Sequence, residues 1–214
     1  MVTMIPNEDT SYMDEVLLDH DERVRMLPAS EYAKFPKHHI QLWCVRNARY
    51  GLPTTELVEW LKSEIGGRSA IEVGAGNGDL GRLLGIPMSD NYCQRLPQVI
   101  AYYKAIRQEP TNPPKDVAFA DAVAAVKAIA PSVVVGSWIT HKFNGDPQLG
   151  GNDYGPAEEE MLDHVSTYIH VGNEGVHGMK PLLARPHRSL KFPWIVSRAS
   201  DQSKNIIYVW DRKS

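Results

Sequence analysis

The chain has 214 residues, 43% of them hydrophobic and 23% charged, with a formal net charge of -3. That length suits one sizeable domain with at most a short extension, and that charge supplies no global basic field for nucleic acid, although a local patch stays open. The longest apolar runs, "AAVKAIA" and "SVVVG", are too short to span a bilayer and the opening residues do not read as a secretory signal, so a cytoplasmic protein away from membranes is expected.

Residues 1–30 are polar and acidic and read as a helix or arm lying over the rest. With the aromatic-rich "HHIQLWCVRNARYG" they make an N-terminal helical extension, residues 1–53, ahead of a main domain, 54–214. "PTTELVEWLKSEIGG" predicts a helix: Pro53 and Thr54 or Thr55 start it, Leu57, Val58, Leu61 and Ile65 recur at helical spacing, and Gly66 and Gly67 close it. Strand and helix then alternate. "SAIEV" reads as a buried strand, "DLGRLLG" as a short helix and "IPMSD" as a further strand. "NYCQRLPQVIAYYKAIRQ" is helical in two pieces around Pro97, "DVAFAD" a strand, "AVAAVKAIA" an amphipathic helix and "SVVVGSWI" a β-branched strand.

A long Gly- and Asn-rich loop, "HKFNGDPQLGGNDYGP", leads to the helix "AEEEMLDHV", whose acids sit where the helix dipole prefers them. "TYIHVG" is a strand, and 176–185 reads as another helix. "PWIVSRA" and "NIIYVWD", joined by the short "SDQSKN", read as a terminal antiparallel hairpin. The expected fold is a Rossmann-like α/β domain. Its seven-stranded sheet is mostly parallel and ends in an antiparallel hairpin, with helices on both faces.

The chemistry concentrates at "SAIEVGAGNGDLG". A strand entering Gly74-Ala75-Gly76-Asn77-Gly78 and then a helix lets a ligand approach backbone and helix N-terminus closely. No Gly-Lys-Ser/Thr follows, which removes nucleotide triphosphate hydrolysis. Residues 76–81 fit G-x-G-x-x-G, the dinucleotide fingerprint, so an NAD-dependent oxidoreductase is one reading. Shifted by two, Glu72-Val73-Gly74-Ala75-Gly76-Asn77-Gly78 fits E-x-G-x-G-x-G, which resembles the first motif of class I S-adenosylmethionine-dependent methyltransferases. Glu72 would repel a pyrophosphate and attract a cationic ammonium and sulfonium.

The resemblance covers roughly residues 54–211 and implies S-adenosyl-L-methionine as cofactor, with Glu72 toward its amino-acid part and Gly74, Ala75, Gly76, Asn77 and Gly78 forming the loop beneath it. It implies an acid at the end of the second strand for the ribose hydroxyls. Asp90 stands there, with a helix N-cap as its other reading. An acid after the third strand reads the adenine amino group. Asp121 stands there and is equally an N-cap.

The loop after the fourth strand faces the methyl group in that family, and here it carries Trp138 as a pocket wall and His141 as a candidate base. It lacks the Asn/Asp-Pro-Pro-aromatic motif of amino-methylating nucleic-acid enzymes, and the chain lacks the Pro-Cys nucleophile of cytosine-C5 enzymes. Asn173, Glu174 and His177 follow the fifth strand at the same sheet edge, so Glu174 and His177 join His141 as candidate catalytic groups. No metal is expected: His38 and His39 are too close to be a pair, and Cys44 and Cys93 have no ligand spacing. Lys180, Arg185, Arg188 and Lys191 read as a solvated face or as phosphate contacts. The expected activity is methyl transfer to a small molecule or nucleic acid. A non-catalytic module that binds on the same fold is the alternative.

Overall fold

The main sheet grows outward from two central strands, buried but for a closing Ser137 and apolar but for that serine and Glu72. In the computed structural model, which describes residues 8–212, β1 is Ala70–Val73 and β4 is Val133–Ser137. The others are β2 (Met88–Asp90), β3 (Ala118–Phe119), β5 (Thr167–Asn173), β6 (Arg188–Leu190) and β7 (Asn205–Asp211). The order across the sheet is β3-β2-β1-β4-β5-β7-β6. Pairings through β5 are parallel, while β7 runs antiparallel to both β5 and β6.

Period-two alternation divides the core into two layers. Val133 and Val135 face one side with Ile169, Ile207 and Val209, under helices α2 (Thr55–Ile65) and α3 (Asp79–Leu84). Val134 faces the other side with Ile71, Val73 and Tyr168, under α5 (Ala122–Ile129) and α6 (Glu158–Asp163). The remaining longer helices are α1 (Lys37–Arg46) and α4 (Pro97–Ala105). Helix α2 keeps its expected punctuation: Thr54 Oγ1 accepts from the Leu57 amide, and Gly66 closes it at φ 60°. Pro97 opens α4 after a 3-10 turn, Cys93–Arg95, as the two-piece pattern predicts.

Two C-terminal expectations are corrected. The partner of the last strand is Arg188–Leu190, and "PWIVSRA" lies outside the main sheet. Its Val196–Ser197 pairs with Gly51–Leu52 in a separate ribbon, while Phe192 stacks on Trp194 at 4.3 Å and meets Trp60 at 5.9 Å. Aromatic content that reads as strand is used for packing against α2. Arg188–Leu190 carries little strand signal of its own because an edge strand tolerates charge, which protects the edge. The helix expected over 176–185 is two single turns, Glu174–His177 and Pro181–Ala184, since Pro181 cannot continue the first.

The acidic N-terminal stretch forms short turns, Asp14–Leu17 and Ala29–Tyr32, and residues 1–7 lie outside the described part. These turns are packed in. Met13, Leu17, Val24 and Tyr32 bury with Trp43, Cys44 and Leu52 in a third core cluster. Cys44 and Cys93 are free thiols. Among the described residues no helix is long and apolar enough to cross a membrane.

Candidate functional site

The carboxyl ends of β1, β2 and β4 open into a cleft of about 610 Å³. The glycine loop forms its floor, and the segments around Tyr50, Gln94, Trp138 and Arg198 form its walls. This is where an open α/β sheet places a ligand.

What crowds the glycine loop is the chain itself. A Cβ on Gly74 would meet Ile139 Cγ2 at 2.4 Å, and one on Gly76 would meet Thr111 Cγ2 at 3.1 Å, both at positive φ. The loop's donors are also committed internally. The Gly76 amide donates to Asp90 Oδ2 at 2.9 Å, the Gly78 amide to the Ala75 carbonyl at 2.8 Å, and the Gly81 amide to Glu72 Oε2 at 2.7 Å. Asn77 is spent in bracing: its Nδ2 donates to the Ala48 carbonyl and its Oδ1 accepts from the Asn112 amide. The Gly76, Gly78 and Gly81 amides are therefore filled within the chain, and carboxylates line the cleft beside them.

Alternation on β1 sends Glu72 to the face shared with Ala70, beneath α3, and also onto the cleft lining. Burial drives its carboxyl up to about 8, with Asp79 and Asp90 adding to the rise and the Gly81 hydrogen bond opposing it. Asp79 opens α3 and lies 2.6 Å from Arg49 Nε, yet burial still raises its carboxyl. Asp90 ends β2, and its second oxygen accepts from the Tyr92 amide at 2.7 Å, so it combines strand end and turn cap. Its carboxyl is raised by burial. Asp121 caps α5 through the Val123 and Ala124 amides. All four acids line the cleft. Sequence reasoning found Glu72, Asp90 and Asp121 but passed over Asp79, which stands inside the quoted motif.

Trp138 lines the cleft as expected and does so from a left-handed backbone, φ 60°, with its amide donating to the Val171 carbonyl. Its indole stands edge-on to His177 at 5.4 Å and 6.5 Å from Tyr50. The three candidate catalytic groups are not on the lining. His177 is 1% exposed, accepts from the Asn173 amide at Nδ1, and is held down to about 3 by burial and by Lys180. His141 is buried beneath the loop over 142–156, and burial followed by Lys180 lowers it. Glu174 points to the surface and pairs with Lys191 at 2.6 Å.

Behind Trp138 lies a buried ion pair. Lys180 Nζ donates to Glu158 Oε1 at 2.6 Å and to the Ile139 carbonyl at 2.9 Å, and Tyr168 donates to the same Glu158 oxygen. His170 Nε2 stands 3.0 Å from the Ile139 carbonyl, and burial pushes this ring well below its usual range. The network fixes the backbone that follows Trp138. It also accounts for one member of the basic run. The rest are paired as well, Arg185 with Asp163, Arg188 with Glu64 and Asp211, and Lys191 with Glu174.

No protein-family model and no curated protein matches the chain. Among solved structures, an rRNA methylase from Streptococcus thermophilus overlaps 73% of this chain and 94% of its own, at 9% identity and a TM-score of 0.41. The CurJ carbon methyltransferase overlaps 69% of this chain and 49% of its own, at 11% identity and 0.34. Thermoplasma acidophilum 1320 overlaps 83% of this chain and 98% of its own, at 16% identity and 0.35. At such scores the likeness carries no argument about activity, which has to rest on the chain's own side chains.

Proposed function

We propose that the cleft binds S-adenosylmethionine and that the protein transfers its methyl group to an acceptor seated beside Trp138. The observation that carries this reading is the state of the glycine loop. A pyrophosphate needs free amides at a helix N-terminus. Here the Gly76 and Gly81 amides are taken by Asp90 and Glu72, and Asp79 adds a third carboxylate. Such a floor disfavours a dinucleotide and suits a cation.

The donor set fits the adenosyl cofactor in three places. Glu72 would hold the ammonium end, Asp90 the ribose hydroxyls through its unused lone pairs, and Asp121 the adenine amino group. When bound, the cofactor supplies an electrophilic methyl on a sulfonium. The chain's own task is to orient and desolvate the acceptor, with Trp138 and Tyr50 walling its side of the cleft. Among the described residues no histidine lines the cleft. That favours an acceptor already nucleophilic, and it equally supports the second reading, a module that binds without transfer.

Turnover separates the two. The purified chain, given S-adenosylmethionine and a cell extract split into nucleic-acid, protein and small-molecule fractions, should release S-adenosylhomocysteine with one fraction. Binding of cofactor with no release in any fraction would leave the binding module.

A further inference from the structure

Among the described residues the Arg198 guanidinium on the cleft wall has no ion-pair or hydrogen-bond partner, and its setting is built rather than incidental. Arg198 follows the short ribbon strand Val196–Ser197, and its amide donates to the Tyr50 carbonyl at 3.0 Å. Its guanidinium lies 3.6 Å over the Tyr50 ring. Among the described residues no carboxylate lies within ion-pair distance, and no acceptor takes any of its side-chain N–H groups; Nη1 is fully buried in that state. The other arginine on the lining, Arg49, is spent on Asp79.

The platform beneath Arg198 is braced by hydrogen bonds. Tyr50 Oη meets Tyr103 Oη at 2.5 Å, and Gln94 Nε2 donates to Tyr50 Oη at 3.2 Å. Ser197 Oγ donates to Asn205 and accepts from the Ala199 amide, and the Ala199 carbonyl accepts from Gln41. An arginine stacked on an aromatic ring keeps its planar edge of donors for a carboxylate or phosphate.

The four acids come from the strand ends and the start of α3, whereas Arg198 and Tyr50 come from the ribbon wall. The cleft thus carries opposite charge on elements of different origin. We propose that Arg198 is the seat for a carboxylate or phosphate carried by the methyl acceptor, which makes the acceptor a small anionic molecule with a planar part resting on the Tyr50 and Trp138 wall. This rests on the methyl-transfer reading for the word acceptor. The anion seat itself does not depend on it. The cofactor's own carboxylate is the other source of the same chemistry.

The test uses benzoate and its neutral analogue benzamide, titrated calorimetrically into the full chain with and without saturating S-adenosylhomocysteine. Wild type should bind benzoate at least tenfold more tightly than benzamide. Arg198→Gln should erase that preference and Arg198→Lys should keep part of it, showing that charge and not folding is at issue. Affinity for S-adenosylhomocysteine should stay within twofold in Arg198→Gln. Equal binding of the two probes, no binding of either, or a preference that survives Arg198→Gln overturns the proposal. A tenfold loss of S-adenosylhomocysteine affinity in Arg198→Gln also overturns it, by assigning the arginine to the cofactor's carboxylate. If wild type binds benzoate through Arg198 but never binds S-adenosylhomocysteine, the cofactor reading has failed while the anion seat stands.

Discussion

The carboxylate of Glu72 reaches from the middle of the sheet to the third residue of the following helix, where its Oε2 accepts the Gly81 amide at 2.7 Å. A buried acid at a core position thus caps a helix and borders the cleft at once. Its position ties the stability of the fold to the charge the cleft can accept.

Glu72 should make stability fall with pH. Its folded pKa of about 8 stands above the unfolded 4.5, so the folded chain holds this proton more tightly. The contribution is full below 4.5 and declines as pH rises toward 8, by at most roughly 1.4 kcal/mol per pH unit. Glu72→Gln keeps an acceptor for the Gly81 amide but has no proton to lose. Urea midpoints between pH 5 and pH 8 should therefore drop further in wild type than in the variant. Parallel curves would remove the buried ionisation from the account.

Gly74 is expected to serve packing before any ligand. Gly74→Ala should lower the melting temperature of the free protein, because its Cβ would stand 2.4 Å from Ile139 Cγ2. Removing that side chain as well, in Gly74→Ala with Ile139→Ala, should cost less than the two single changes summed, by about 0.5–3 kcal/mol, the range for residues in contact. Additive effects would place the strain elsewhere.

At Trp138 the backbone and the ring make separable contributions. Both Trp138→Ala and Trp138→Gly lose the contact with His177, but only alanine retains a Cβ at φ 60°. The glycine variant should be the more stable of the two by about 1 kcal/mol, the lower end of the left-handed penalty. Denaturation of the pair side by side reads this directly, and a more stable alanine variant would contradict it.

Lys180→Met should be among the most damaging single changes. It leaves the buried Glu158 carboxyl without its cation, which for broken buried pairs costs about 3–5 kcal/mol. Combining it with Glu158→Gln should recover a large part of that loss. If the double variant is no better than Lys180→Met, the damage comes from the Ile139 carbonyl, which also lost the lysine as a donor.

Much of the fold was legible because its signals are local. The β-branched run in "SVVVG", the Thr54 cap, Gly66, and Pro97 between two helical pieces each act within a few residues. The edge strand was not. Arg188–Leu190 is stabilised by β7 and by ion pairs to Glu64 and Asp211, contacts distant in sequence, whereas Phe192 and Trp194 imitate a strand while packing on Trp60. The site divides the same way. Glu72, Asp90 and Asp121 could be found because each lies at or beside the end of a strand in sequence. Arg198 reaches the cleft only through its pairing beside Tyr50, and His141, Glu174 and His177 share a sheet edge without sharing a direction.

The central claim, a cleft built for a cationic adenosyl ligand, is tested most directly by calorimetric titration of S-adenosylmethionine and NAD into the same preparation. The runs are made at pH 6.5 in two buffers of different ionisation enthalpy. A cation beside Glu72 favours its carboxylate, so S-adenosylmethionine should bind with release of up to one proton, about ten times more tightly for each unit gained toward pH 8 at the limit. Glu72→Gln should abolish the proton release, and NAD should give no saturable heat. Saturable NAD binding with none for S-adenosylmethionine would contradict the account.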